Sequence, residues 1–304
     1  ARRLSNAPAV DQFRLGGELG GVLGFVGPKG PGKSTTMQMP TGNLAPTSGA
    51  VTISGVDMLE NPKEAKLALG YLPEQPPLYR ELTVDEYLNY CARLNRIDKG
   101  KIAAAVDNAT QRCGLTEVNQ RLINNLSKGY QQRVGIAQAI IHSPDVVILD
   151  EPTVGLDPIQ IREIRQLIRD IGTEHSVILS THILPEVQAT CDRVQIINKG
   201  ELVMSDSIDG LTQRMQSSSL LVALRQPPAL EQLTAIDGIT AAESLGDGRL
   251  RLTHTPQSNP AEAIVEHAVA GGWGLYELSP ERLSLEDVFV NITTTEPAHE
   301  EDAA

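Results

Sequence analysis

The chain has 304 residues, 40% hydrophobic and 21% charged, enough for one sizeable core and a smaller second domain. No stretch approaches the roughly eighteen uninterrupted apolar residues of a membrane span, and no signal-peptide core follows Ala1-Arg2-Arg3-Leu4. The formal charge of -12 is concentrated late: from Gln213 onward there are 5 Lys/Arg against 14 Asp/Glu, which argues against a nucleic-acid surface there.

In chain order, Gly21-Val22-Leu23-Gly24-Phe25-Val26 is a short apolar run entering a glycine-rich turn, which predicts a buried strand, a loop and a helix. Val51 to Gly55 predicts another short strand closed by a turn. Helical periodicity runs through Leu82 to Asn95, Lys101 to Cys113 and Lys128 to His142. The β-branched run Val146-Val147-Ile148-Leu149 ends in two carboxylates and suits a central parallel strand. Ile159 to Ile171 repeats apolar residues three and four apart, as an amphipathic helix does. Ser176 to Ser180 and Val194 to Ile197 are the next strands. Strands alternating with helices imply an α/β fold with a mostly parallel sheet and a ligand at the strands' C-terminal ends.

The pattern changes near Ser217. Leu220 to Leu224 predicts a strand, Pro227-Pro228 a break, Leu230 to Leu233 a short helix, and Arg249 to Thr253 an alternating strand. Pro260 to Ala270 reads as a helix and Gly274 to Leu278 as a further strand. The expected organisation is a first domain over 1–215 with a helical subdomain at about 80–142. A small accessory α+β domain follows over 216–295, then a disordered acidic tail over 296–304. Cys91, Cys113 and Cys191 are far apart, form no metal-ligand spacing and read as reduced packing residues.

Gly27-Pro28-Lys29-Gly30-Pro31-Gly32-Lys33-Ser34-Thr35 fits the phosphate-loop pattern G-x-x-x-x-G-K-[ST]. Its glycines would let backbone amides turn toward phosphates, Lys33 would reach the β- and γ-phosphates of ATP, and Ser34 would ligate Mg²⁺. A chance match is the bland reading, and the strand before and helix after weigh against it. Asp150, ending a buried strand, would hold Mg²⁺, usually through water. Glu151 would polarise the attacking water as general base. In isolation, two carboxylates ending a strand would more often be solvated caps.

Leu126-Ser127-Lys128-Gly129-Tyr130-Gln131-Gln132-Arg133 resembles the LSGGQ-type signature of ABC ATPases and lies about twenty residues before Asp150. Gly155-Leu156-Asp157 resembles that family's D-loop, His182 in Ser180-Thr181-His182 its switch histidine, and Gln75 its Q-loop glutamine. The likeness covers residues 21 to about 200. It implies a P-loop ATPase fold and an ATP-dependent head-to-tail homodimer enclosing two ATP molecules. Ser127, Lys128, Gly129, Tyr130 and Gln131 would then act in trans on a nucleotide held by the other chain's Lys33 and Glu151. His182 would hold the γ-phosphate and orient water, Asp157 would couple the two sites, and Gln75 would touch Mg²⁺ and sense a transmembrane permease. The implied location is the cytoplasmic face of the cell membrane, with no nucleic-acid partner. The Leu126 to Pro158 segment, Pro76-Pro77-Leu78-Tyr79 and Leu285-Glu286-Asp287-Val288-Phe289 resemble ABC-2-type export and gliding-motility subunits. In such subunits the extra domain is taken as regulatory or dimer-supporting.

Several residues depart from the family pattern. Leu4 to Val10 has no aromatic to stack on adenine, and Phe13 fits a core position better. Pro31 removes an N–H from the phosphate loop, and Lys29 replaces the usual Asn. Pro40 predicts that the following helix kinks or ends early, since an interior proline costs on the order of 3 kcal/mol. A nucleotide-binding regulatory subunit with impaired hydrolysis is therefore the alternative. A non-transport ABC protein of translation or DNA repair would carry tandem units or basic arms, which this chain lacks.

Overall fold

The computed structural model describes residues 2–4, 7–10, 20–27, 32–214, 216–255 and 258–282. The chain divides into two units, Ala1–Ile208 and Asp209–Ala304. No helix among the described residues is long and apolar enough to cross a membrane. Of the regions flagged above, Pro28 to Pro31, Phe13, Leu285 to Phe289 and the 296–304 tail lie outside the described residues.

The first unit opens with a hairpin, β1 (Arg2–Leu4) and β2 (Ala7–Val10). Then follow β3 (Gly21–Val26), α1 (Lys33–Gln38), the small hairpin β4 (Thr52–Ile53) and β5 (Val56–Asp57), α2 (Pro62–Leu67) and β6 (Leu69–Leu72). Three helices come next: α3 (Val84–Leu94), α4 (Ile102–Arg112) and α5 (Lys128–Ile140). The unit closes through β7 (Val146–Asp150), α6 (Pro158–Gly172), β8 (Ser176–Thr181), α7 (Leu184–Thr190), β9 (Arg193–Asn198) and β10 (Glu201–Ser207).

Six strands form one sheet in the order β10-β9-β3-β8-β7-β6, parallel throughout except for the edge pair β10 and β9. The central strands are the apolar runs of the sequence. Phe25, Ile148 and Leu149 have no exposed surface, because a parallel sheet is covered on both faces. Helix α6 lays Ile164, Leu167, Ile168 and Ile171 into the core at the three- and four-residue spacing of a helical stripe. Another cluster gathers Phe25, Met37, Ile53, Met58, Ala65, Leu69, Ile148 and Ile197.

Helix starts follow local chemistry. Thr83 and Glu86 form a reciprocal capping box on α3, with Glu86 N–H donating to Thr83 Oγ1 at 3.2 Å and Thr83 N–H donating to Glu86 Oε2 at 2.8 Å. These bonds hold the Glu86 carboxyl below its usual range. Ser127 caps α5 and Asp157 caps α6, where Pro158 occupies a first-turn position. Helix α1 stops at Gln38, two residues before Pro40, so the proline ends it early rather than kinking it. The freed Gln38 carbonyl accepts from the Thr41 hydroxyl and the Asn43 and Leu44 amides, each at 3.0 Å.

The second unit holds α8 (Ile208–Arg214, its first residue in the first unit), β11 (Gln216–Leu224), α9 (Leu230–Thr234), β12 (Ile239–Gly246), β13 (Arg249–His254), α10 (Ala261–Ala270) and β14 (Leu275–Arg282). Its sheet is antiparallel in the order β12-β13-β11-β14, the split βαβ arrangement of a β-α-β-β-α-β chain. Leu220, Val222, Leu250, Leu252, Leu233 and Ile264 make its core. Arg251 on β13 bridges Glu243 at 3.0 Å and Glu281 at 2.8 Å. Sequence pattern alone does not mark β6, α7, β10 or β12, which are short, interrupted by glycine or proline, or rich in small and polar residues.

All three cysteines are buried and free. Burial pushes the Cys91 thiol up to about 11 and that of Cys113 to about 12, which keeps both unreactive.

Two measurements test this packing. Gly70 in β6 lies directly beneath the Ala139 carbonyl and 3.0 Å, from where a Cβ would stand, from Pro144. Gly70→Ala should therefore cost about 2–3 kcal/mol in urea unfolding. His142, behind α5, sets Nε2 3.2 Å from the Leu69 carbonyl oxygen, and burial holds its imidazole below the ordinary 6.5. The unfolded chain then binds the proton first, so stability falls as pH drops below about 6.5. That fall should be shallower in His142→Gln.

Candidate functional site

The parallel strands deliver three segments to the carboxyl end of the sheet. Lys33 opens α1 after β3, Asp150 ends β7 with Glu151 one residue beyond, and His182 follows β8; β3, β8 and β7 are neighbours. Lys33 and Glu151, both buried, form an ion pair through Nζ and Oε1. His182 Nδ1 lies 2.9 Å from the same oxygen, so its N–H donates to the carboxylate and Nε2 is left for other partners. The sheet's topology thus brings together three residues read from separate motifs.

Glu151 sits at φ 48°, the left-handed region that a non-glycine residue enters at a cost of about 1 kcal/mol or more. The surrounding frame holds it there: its amide donates to the Ser180 carbonyl at 2.8 Å, and its own carbonyl accepts from Val154 N–H at 3.3 Å. This turn lets the carboxylate leave the line of β7 and face Lys33 and His182.

Asp150 is half-buried, and burial raises its carboxyl above the usual range. The Lys33 charge opposes that rise, while Glu151 and Glu74 add to it. Tyr71 is pushed up to about 12 by burial and by the Asp150 charge. Asp150, Glu151 and Glu74 gather negative charge that a divalent cation would neutralise. Among the described residues no three His, Cys, Asp or Glu side chains converge as a ligand set. One carboxylate, with phosphate and water completing the shell, is how Mg²⁺ ordinarily binds, so the residues present fit that ion.

In the phosphate loop, Gly27 approaches β9 closely: a Cβ there would stand 2.6 Å from Ile197 Cγ2 and 2.9 Å from its carbonyl oxygen. Gly32 offers its carbonyl to the Thr36 amide at 2.8 Å and hydroxyl at 2.6 Å. Ser34 and Thr35 lie in α1. Of Ser34 only the backbone is described.

The signature residues form a second cluster at the start of α5. Ser127 Oγ accepts from Tyr130 N–H at 3.4 Å. Gly129 abuts Gln160, whose Cδ would stand 2.6 Å from an added Cβ, and the Lys128 side chain lies across Gly155. Gln131 turns inward, its amide donating to the carbonyls of Ile123 at 3.2 Å and Leu126 at 3.0 Å. Asp157 Oδ1 accepts from Ile159 N–H at 3.0 Å and Gln160 N–H at 2.9 Å. The signature and D-loop segments therefore pack on each other. No hydrogen bond or ion pair among the described residues joins the signature side chains to Lys33, Glu151 or His182.

Gln75 is exposed just past β6. Gln138 of α5, not marked by the sequence reading, donates to the Tyr71 carbonyl at 2.8 Å and so ties the signature helix to the strand ahead of Gln75. A few residues on in the chain, Tyr79 makes edge-on ring contacts with Tyr87 and Tyr90, at centroid distances of 6.2 Å and 5.5 Å. The sequence does not single out Thr153, Thr181 or Glu186, yet Thr181 Oγ1 lies 3.4 Å from Glu151 Oε2 and both threonine hydroxyls donate to Glu186. The Ser-Thr pair ending β8 was the available signal, a polar break in an apolar run.

Residues 10–154 match the family model described as ABC transporter. The chain is 33% identical over 287 residues to the bacitracin transport ATP-binding protein BcrA of Bacillus licheniformis, covering 93% of this chain and 92% of that one. It is 34% identical over 304 residues to the uncharacterized ABC transporter ATP-binding protein YdbJ of Bacillus subtilis, covering 99% and 94%. Among solved structures, cbiO1 from Clostridium perfringens, part of the ABC transporter complex cbiONQ, superposes with a TM-score of 0.62 at 27% identity, over 67% of this chain and 83% of that one. The chain belongs to the ATP-binding proteins of ABC transporters.

Proposed function

We propose that the chain hydrolyses ATP with Mg²⁺ between two copies of itself and passes the resulting motion to a separate membrane permease, as an exporter subunit. The observation that carries this reading is the convergence of Lys33, Glu151 and His182 at the carboxyl end of the central strands, with no hydrogen bond or ion pair among the described residues joining the signature side chains to them. Each nucleotide site is then half-built in one chain and completed by Ser127 and Gly129 of a second.

The mechanism follows from the pair that fills the site. While Lys33 holds Glu151, the lysine charge is spent on the carboxylate rather than on phosphate. An incoming triphosphate offers Lys33 a stronger partner, and Glu151 is released to accept a proton from water. His182, oriented through Nδ1 by Glu151, presents Nε2 to the γ-phosphate side. Asp150, Ser34 and Gln75 are the residues that would hold Mg²⁺, which supplies charge neutralisation of the phosphates. Asp157 couples the two sites, and Lys128, Tyr130 and Gln131 shape the surface that meets the other copy. Gln75 and the exposed rings of Tyr79 and Tyr90 suit contact with the permease. The likeness to ABC-2-type export subunits supports export, and that to BcrA supports transport of a bacitracin-like molecule. The second unit is read as regulatory or dimer-supporting.

Light scattering on Glu151→Gln should show the mass doubling only with Mg-ATP, because uncleaved nucleotide keeps the two copies together. A mutant that stays monomeric in excess ATP would instead favour a regulatory subunit with impaired hydrolysis, as Pro31 and Pro40 suggest. His182→Ala should lower kcat about 100-fold or more with little change in ATP affinity, read by phosphate release and by fluorescent-nucleotide titration.

A further inference from the structure

Glu186, in the first turn of α7, is 1% exposed and takes no part in the chemistry described above. Its carboxylate accepts from the Thr153 hydroxyl through Oε1 and from the Thr181 hydroxyl through Oε2 at 3.1 Å. Arg165 of α6 stands 3.7 Å from Oε1. Each partner belongs to a different working segment. Thr153 lies between Glu151 and Asp157, Thr181 immediately precedes His182, and Arg165 lies on the helix that Asp157 caps.

We infer that Glu186 is a positioning residue that locks the His182 loop to the Glu151–Asp157 segment, so that base, switch histidine and D-loop keep one geometry. Stability alone is a poor reason for this arrangement. Burying a carboxylate costs desolvation, and well-packed apolar side chains often serve a core equally well. The hydrogen-bond directions supply a functional reason. Thr181 accepts from Ile183 N–H at 3.1 Å, which fixes the turn carrying His182. Its Oγ1 stands 3.1 Å from Glu186 Oε2 and 3.4 Å from Glu151 Oε2, so the shorter of the two bonds its single hydrogen can make is to Glu186. By taking that hydrogen, Glu186 leaves Glu151 Oε2 open to a water proton.

This inference rests on the hydrolytic reading above, and its test includes a readout that does not. In the full chain, amide hydrogen exchange is compared for wild type, Glu186→Gln, Thr153→Val and Thr153→Ser. Glu186→Gln and Thr153→Val should quicken exchange in both 153–157 and 182–184, leaving β7 and β8 unchanged, and Thr153→Ser should restore protection. Both variants should lower kcat about 100-fold with KM within about twofold, since a displacement of roughly 1 Å costs that order. Their double mutant should be no slower than either alone. Exchange that quickens in one loop only, or in neither, overturns the lock whatever the ATPase rate. Quickened exchange with unchanged kcat overturns its role in hydrolysis. A wild type whose ATPase rate survives Glu151→Gln removes the hydrolytic reading, while the exchange comparison still decides whether Glu186 joins the loops.

Discussion

A parallel sheet covered on both faces leaves only its edges and ends for chemistry, and every strand's carboxyl end emerges on the same side. That constraint makes partners of Lys33 and Glu151, which are 118 residues apart in the chain. The strands feeding them, β3 and β7, flank β8, so the His182 loop arrives between them. The buried pair then acts as a placeholder. It neutralises two charges that the core could not hold singly, and in the proposed cycle it would occupy Lys33 until a triphosphate competes for it.

The second organising feature is the pair of helix N-caps at Ser127 and Asp157. Ser127 and Asp157 both end a loop and begin a helix, and both also belong to motifs expected to meet a second chain. A cap is a good place for such a residue, because the helix behind it fixes the backbone while the side chain stays near the surface. Gly129 against Gln160, and Lys128 across Gly155, pack the two capped starts together. Arg133 adds to this by donating to the Cys113 carbonyl at 3.0 Å and pairing with Glu163 at 2.7 Å, so that α5 is tied to the end of α4 and to α6.

The prolines show how departures from a pattern are absorbed. Pro40 would cost most inside a helix, and the helix has already ended before it, with Gln38 finding three other donors. The strain at Glu151 is absorbed similarly: its amide and carbonyl both keep partners although its φ is left-handed. Hydrogen bonds lost by the regular element are remade by the turn that replaces it.

Much of this was legible in the residues themselves. The β-branched runs of β7 and β8, the stripe of α6 and the periodic stretches of α3 to α5 are local patterns, since burial on two faces or on one stripe writes its period directly into the chain. Lys33, Asp150, Glu151, Ser127 and His182 could be picked out because their motifs are short and contiguous. Tertiary structure decided what has no local signature. The weak strands β6 and β10 exist because neighbouring strands pair with them. The left-handed turn at Glu151 and the inward bonds of Gln131 arise from surrounding packing. The junction of Thr153, Thr181 and Glu186 joins three segments that only the folded sheet brings within hydrogen-bond reach. Motif and period are properties of neighbours in sequence, whereas a shared hydrogen bond is a property of neighbours in space.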